Sequence, residues 1–110
     1  MTIGRIRSWA MSQPDKTAVI NDGVHYSYSS FIRAIEASRQ LLGQFDLPIG
    51  KTAVVMVNDL FDGWCLTFAL RAIGLNTIVV RSIAQAEELN VKDVACVVIS
   101  QTERNTHALK

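Results

Sequence analysis

The first pattern along the chain is an apolar spacing of three and four residues near its N-terminus. Ile3, Ile6 and Trp9 recur at this interval, which predicts a short amphipathic helix that ends near Pro14. The spacing then changes to that of a strand over residues 17–20. A helix followed so soon by a strand indicates a mixed α/β chain.

A tight hairpin is predicted next. Residues 21–23, "NDG", tolerate the positive φ angles of a hairpin turn, and residues 24–28, "VHYSY", alternate apolar and polar positions. Ser27 or Ser29 can cap the following helix, because a serine oxygen accepts a hydrogen bond from an unpaired N–H of the first turn. We expect that helix to end at Gly43 or in the "DLPIG" segment after it. Its expected buried face consists of Phe31, Ala34, Ile35, Ser38, Leu41, Leu42 and Phe45.

Three apolar strands separated by helices occupy the second half of the chain. The run "KTAVVMVND" is typical of a parallel strand covered on both faces, and a helix that ends at Gly74 follows it. The later segments are a second buried strand "NTIVV", a short polar helix "AQAEELN" and a third strand "VACVVIS". This alternation predicts parallel βαβ units with right-handed crossovers. The expected fold class is α/β, a layered parallel βαβαβ sheet flanked by helices and preceded by a short helix and a β-hairpin.

Length and composition indicate a single globular domain. The chain has 110 residues, of which 49% are hydrophobic and 19% are charged, as in a single globular domain. We expect this α/β domain to cover residues 1–100 and to be followed by a polar tail over residues 101–110. The formal net charge of +1 comes with no basic stripe, which argues against a nucleic-acid or membrane partner. Apolar runs too short to span a bilayer, and an N-terminus without a signal-peptide core, predict a cytoplasmic protein.

The residues that could carry chemistry favour structural roles. Cys65 and Cys96 lie in apolar segments without metal-type spacing, so we expect two reduced core thiols. His25 and His107 have no ligand partner at helical spacing, and neither is assigned a metal. Four aromatic side chains at helical spacing are expected to fill the core: Trp9, Phe61, Trp64 and Phe68.

The turn after the first parallel strand is where an open α/β sheet would bind a ligand. Its sequence, "NDLFDGW", lacks a glycine-rich phosphate cradle, and Asp59 and Asp62 would repel an anion. We interpret Asp59 as the N-cap of the next helix and Asp62 as an acidic residue of its first turn. A phosphoacceptor receiver domain is a weak alternative, because the acidic pair that holds Mg²⁺ does not end the first strand. The sequence therefore assigns no catalytic, cofactor-binding or metal-binding residue.

An ordered set of short features runs from about residue 14 to residue 100. These features are the entry "PDKTA" at Pro14–Ala18, Gly23 in the hairpin, Ser27-Tyr28 at a helix start, the turn Pro48–Gly50, Asn58 after a strand and Gly74 after a helix. Together they resemble the N-terminal region of the AMP-forming adenylating enzymes, which include acyl-CoA synthetases, peptide-synthetase adenylation domains and firefly luciferase. The chain departs from that pattern at Ser30, Lys51 and "VVR" of residues 79–81, so the resemblance does not carry a substrate class.

The resemblance implies a longer parent enzyme, an acyl-CoA synthetase or ligase. Such a parent uses ATP and Mg²⁺ to convert a carboxylate to an acyl-adenylate and passes the acyl group to CoA or a carrier-protein thiol. The family's ATP-binding loop, Thr-Glu pair, ribose-binding Asp and catalytic Lys all follow the matched region. This chain is therefore expected to be an inactive scaffold whose partner is the remainder of its own adenylation domain, with self-association through exposed apolar faces or a sheet edge. The alternative is a free-standing flavodoxin-like binding or interaction module.

Overall fold

The computed structural model describes residues 2–99, which contain four helices and five strands. The elements are α1 (Ile3–Ser12), β1 (Thr17–Asn21), β2 (Val24–Ser27), α2 (Tyr28–Leu42), β3 (Thr52–Met56), α3 (Leu60–Ile73), β4 (Asn76–Val79), α4 (Ile83–Leu89) and β5 (Val94–Ile99). Their order confirms the expected α/β succession. Ser100, the tail over residues 101–110 and its His107 lie outside the described residues, as does Met1.

The hairpin and the first two helices form one half of the fold. β1 and β2 pair antiparallel, and the turn residues Asp22 and Gly23 have φ angles of 52° and 79°. A turn with two positive φ angles matches the right-handed twist of a hairpin, which explains why "NDG" stands here. Ser27, rather than Ser29, caps α2, since its side chain accepts a hydrogen bond of 3.1 Å from the Ser30 N–H.

The other half is a three-stranded parallel sheet in the order β4-β3-β5. Ala53 and Val55 of β3 are both fully buried in the main core. Val54 and Met56 point to the opposite face of the sheet, because successive side chains of a strand alternate. α3 packs on the first face, whereas α4 borders the second face.

The main core lies between the sheet and helices α1, α2 and α3. Phe31 of α2 is 1% exposed, and its ring centroid lies 5.7 Å from that of Phe61 and 5.9 Å from that of Phe68. Tyr26 of the hairpin stacks on Phe61, with ring centroids 3.7 Å apart. The aromatic contacts thus join the hairpin, α2 and α3 into one core.

Several side chains expected in the core are exposed instead. Phe45 is 59% exposed, because α2 ends at Leu42 and the helical period does not continue into the loop. Leu41 lies within α2 and is 57% exposed, on a part of the helix surface that no described element covers. Trp64 is 44% exposed, since α3 turns Phe61 and Cys65 inward. Phe61 is confirmed as a core residue.

The two outer strands are more exposed than β3. β4 is predicted as a buried strand, yet its Val79 is 58% exposed. In β5, Val97 is 54% exposed. β4 and β5 are the two edge strands of the described sheet, and Val97 lies on the face that only the short helix α4 borders. Within residues 2–99, no helix is long and apolar enough to cross a membrane.

Candidate functional site

Asp59, just past the C-terminal end of β3, occupies the position where an open α/β sheet would hold a ligand. One of its carboxylate oxygens accepts a 2.9 Å hydrogen bond from the Asp62 N–H and so caps α3. The other accepts a 2.8 Å hydrogen bond from the side-chain amide of Asn21 in the hairpin. The capping role agrees with the sequence interpretation. The link to Asn21 could not be predicted, because the two residues are 38 positions apart.

The two carboxylates at this edge of the sheet disfavour a bound anion and the thiolate form of the nearby Cys65. Partial burial and the neighbouring Asp59 carboxylate raise the pKa of Asp62. Burial, with smaller contributions from Asp62 and Asp59, raises the pKa of the Cys65 thiol to about 12. Cys65 is therefore a protonated, buried thiol at neutral pH, and a thiol is a far weaker nucleophile than a thiolate.

The remaining candidates have structural surroundings. Both cysteines are free thiols, as expected, but Cys96 is only half-buried; burial also raises its pKa. His25 is exposed on the hairpin, where its Nδ1 lies 3.4 Å from the Thr17 hydroxyl. In the part of the chain that the structure describes, no group of three or more His, Cys, Asp or Glu side chains is placed to hold a metal ion.

An apolar groove of about 610 Å³ lies on the other face of the sheet. We call this surface the open face and define it by six residues: Val54, Met56, Val97 and Ile99 on the strands, and Ile83 and Ala86 on α4. Glu87 is the one ionisable side chain among the described residues that line the groove. A groove with this lining suits apolar packing better than recognition of a polar substrate.

The open face is bare because its cover is short. α4 has seven residues and none of them is buried. Ile83 is 62% exposed and Val97 is 54% exposed, although parallel sheets are normally covered by helices on both faces. The sequence predicted exposed apolar faces in general but did not locate this one, because an apolar strand has the same sequence whether its face is covered or open.

Comparison with known proteins places the fold. No protein-family model matches the sequence, and no curated protein matches it at a significant level. Among solved structures, the N-terminal subdomain of Klebsiella oxytoca NpsA in complex with 3-hydroxybenzoyl-AMSN matches with a TM-score of 0.76 and 18% identity, over 88% of this chain and 26% of that one. The inhibitor-bound N-terminal domain of FACL13 from Mycobacterium tuberculosis matches with a TM-score of 0.73 and 16% identity, over 89% and 26%. The O-succinylbenzoate coenzyme A synthetase MenE from Bacillus subtilis, in complex with AMP, matches with a TM-score of 0.74 and 12% identity, over 88% and 26%.

These matches confirm the fold that the sequence resemblance implied. The chain has the fold of the N-terminal region of AMP-forming adenylating enzymes, including the hairpin, the long helix and the parallel sheet. It spans about a quarter of the length of the solved chains named above. At identities of 12–18%, the likeness establishes the fold.

Proposed function

We propose that this chain is the N-terminal scaffold portion of an AMP-forming acyl-CoA synthetase or ligase. The parent enzyme would activate a carboxylate with ATP, release pyrophosphate and pass the acyl group from the adenylate to the thiol of CoA or a carrier protein. The observation that carries the proposal is the extent of the match: 88% of this chain aligns with 26% of the NpsA structure at a TM-score of 0.76.

The chemistry of the described residues supports an architectural role. Cys65 is buried and protonated, and both carboxylate oxygens of Asp59 are engaged in holding the fold together. We therefore propose that the 110-residue chain does not form adenylates by itself. ATP, Mg²⁺ and the acceptor thiol would bind to later parts of the parent enzyme. The parent enzyme would be cytoplasmic.

The exposed apolar surfaces support a packing partner. The proposed partner is the remainder of the same adenylation domain, which would cover the open face and the sheet edges. Without that remainder, the isolated chain would self-associate through the same surfaces, because water contact with apolar area and unpaired strand edges are both unfavourable.

The test is carboxylate-dependent exchange of labelled pyrophosphate into ATP, with a panel of aromatic and aliphatic acids. The 110-residue chain is compared with the product of its complete reading frame. We expect no exchange with the short chain and exchange by a longer product. Exchange by the short chain would refute its inactivity, and a stop codon directly after Lys110 in an abundant small protein would refute the ligase assignment.

A flavodoxin-like interaction module is the second candidate. In flavodoxin-like sheets the first parallel strand lies between the second and the third. β3 lies between β4 and β5 in the same way, since these are the first, second and third parallel strands of this chain. Sedimentation velocity separates the two candidates. A free-standing module should remain a monomer at high concentration, whereas a piece of a larger domain should associate as concentration rises.

A further inference from the structure

We infer that the dipeptide Asp22-Gly23 in the hairpin turn is a site of spontaneous aspartate isomerisation, and that the fold protects the identical dipeptide Asp62-Gly63 in α3. The reaction converts an aspartyl residue to an isoaspartyl residue, whose backbone runs through the side-chain carboxyl carbon. The inference goes beyond the proposed function, because it rests on the local structure around two copies of one dipeptide.

The reaction needs a side-chain carboxyl group and the backbone nitrogen of the next residue. That nitrogen attacks the carboxyl carbon, a C–N bond forms, and the C–OH bond breaks; the hydroxyl leaves with the amide proton as water, which gives a succinimide ring. Water then adds to the ring, and cleavage at the backbone carbonyl leaves the isoaspartyl linkage. Water is the one co-reactant. A glycine after the aspartate favours ring closure, because it has no Cβ and its backbone rotates most freely.

The hairpin turn leaves both reacting groups accessible. Asp22 and Gly23 are exposed, and a Cβ added at Gly23 would meet no atom within 4 Å. Within residues 2–99, the Gly23 N–H donates no hydrogen bond, and the strand pair next to the turn is Asn21 with Val24. Ring closure at this loop tip therefore requires local rotation of the turn alone.

The helix holds the second dipeptide in the opposite condition. Gly63 is buried, and its N–H donates a 2.9 Å hydrogen bond to the Asp59 carbonyl. The Gly63 nitrogen can reach the Asp62 carboxyl carbon only when the backbone of Asp62 leaves its helical conformation. The first turn of α3 must open for this, and its Phe61 is part of the main core.

The electrostatics alone would favour Asp62. Ring closure is faster with a protonated carboxyl group, because a carboxylate is a poor electrophile. Partial burial and the neighbouring Asp59 carboxylate raise the pKa of Asp62 and so increase its protonated fraction. The opening equilibrium of the helix acts against this, since it divides the rate at Asp62 by the ratio of closed to open molecules. Slower reaction at Asp62 would therefore report on the fold rather than on the carboxyl group.

Isomerisation at Asp22 would disturb the joint between the hairpin and α3. An isoaspartyl residue adds one methylene to the backbone of a turn whose two φ angles are 52° and 79°. Asn21, the preceding residue, pairs with Val24 and donates the 2.8 Å hydrogen bond to Asp59. A longer turn changes the pairing of Asn21 with Val24 and so weakens the link to α3.

The experiment compares the two dipeptides within one molecule. The 110-residue chain is incubated at mildly acidic pH, in native buffer and in urea, and samples are digested with trypsin. Cleavage after Lys and Arg gives the peptides 17–33 and 52–71, which carry Asp22 and Asp62 separately. Chromatography with electron-transfer fragmentation assigns isoaspartate residue by residue. The rate at each site in native buffer is divided by its rate in urea, so that intrinsic reactivity cancels.

We expect this ratio to lie within about threefold of one at Asp22 and to be at least about tenfold below one at Asp62. Asp22→Glu should remove isoaspartate from peptide 17–33, because the larger ring closes far more slowly, whereas the matched variant Asp62→Glu should leave it unchanged. Equal ratios at the two sites, or stronger protection at Asp22, would overturn the inference. The isoaspartyl form should also unfold at a lower urea concentration than the unmodified chain, and a shared midpoint would refute the weakened link.

Discussion

Replacing Asp59 with alanine should loosen the joint between the hairpin and α3. The substitution removes the side chain that caps α3 through the Asp62 N–H at 2.9 Å. It also removes the acceptor of the 2.8 Å hydrogen bond from Asn21. Both hydrogen bonds are exposed to solvent, so we expect a moderate decrease in the free energy of unfolding.

The magnitude follows from the two contacts. Loss of an N-cap costs about 1 kcal/mol, and loss of one further hydrogen bond costs about 0.5–1.5 kcal/mol. The removal of a like charge beside Asp62 offsets a small part of this. We therefore expect Asp59→Ala to lower the free energy of unfolding by about 1.5–2 kcal/mol. Asp59→Asn should cost much less, because asparagine caps helices as well as aspartate does.

Urea unfolding followed by circular dichroism measures these changes. A domain of this size has a slope of about 1–2 kcal/mol per molar urea, so the midpoint for Asp59→Ala should fall by roughly 1 M or more. A double-mutant cycle with Asn21→Ala isolates the hydrogen bond between the two side chains, and its coupling energy should be about 0.5–1 kcal/mol. A change below about 0.3 kcal/mol for Asp59→Ala, or an equal loss for Asp59→Asn, would refute the capping argument. Phosphate transfer from acetyl phosphate and Mg²⁺ to Asp59 would instead revive the receiver-domain alternative.

Further substitutions test the core, the turns and the thiol. Phe31→Ala, at a position 1% exposed, should destabilise the fold by about 3–5 kcal/mol in the same urea assay, and a loss below about 1 kcal/mol would contradict its central place in the core. Gly74→Ala should lower the free energy of unfolding by about 1–3 kcal/mol, because Gly74 has a φ of 113° and a Cβ there would lie 2.9 Å from Ile49 Cγ2. Gly63→Ala is the control, since Gly63 lies in α3 and its new Cβ would enter open space. This control should raise the free energy of unfolding by about 0.5–1 kcal/mol. The raised pKa of Cys65, about 12 in the folded chain against 9.0 as its ordinary value, means that the unfolded chain loses this proton first as pH rises. Stability should therefore fall with rising pH above about 9 more steeply in the wild type than in Cys65→Ala, and parallel pH profiles would contradict this.

The helix ends are the parts of the fold that local sequence determines most directly. Helix caps act through their nearest neighbours in the chain, so local rules predicted a cap at Ser27 or Ser29, the cap at Asp59 and the helix end at Gly74. The structure decided between the two serines in favour of Ser27. The hydrogen bond from Asn21 to Asp59 carries no local signal, since it depends on how the hairpin docks beside α3.

The exposure of individual side chains was harder to predict. Leu41 continues the apolar period of α2 and is nevertheless 57% exposed, because the period records only which face of a helix is apolar. Whether another element covers that face depends on tertiary packing. The open face could not be located from the sequence for the same reason. Its side chains are apolar, like those of the core, but no element covers them in the described structure.

The sequence by itself determined the order of helices and strands, the turn at Gly23 and the likeness to adenylating enzymes, because these features depend on local conformational preference and on short spacings. The tertiary structure alone decided the strand order β4-β3-β5, the opposite placement of α3 and α4, and the exposure of the groove between α4 and β5. The physical reason is that burial and strand neighbours are set by contacts between residues far apart in the chain. An apolar run such as "VACVVI" is the same whether the face it lines is covered or open.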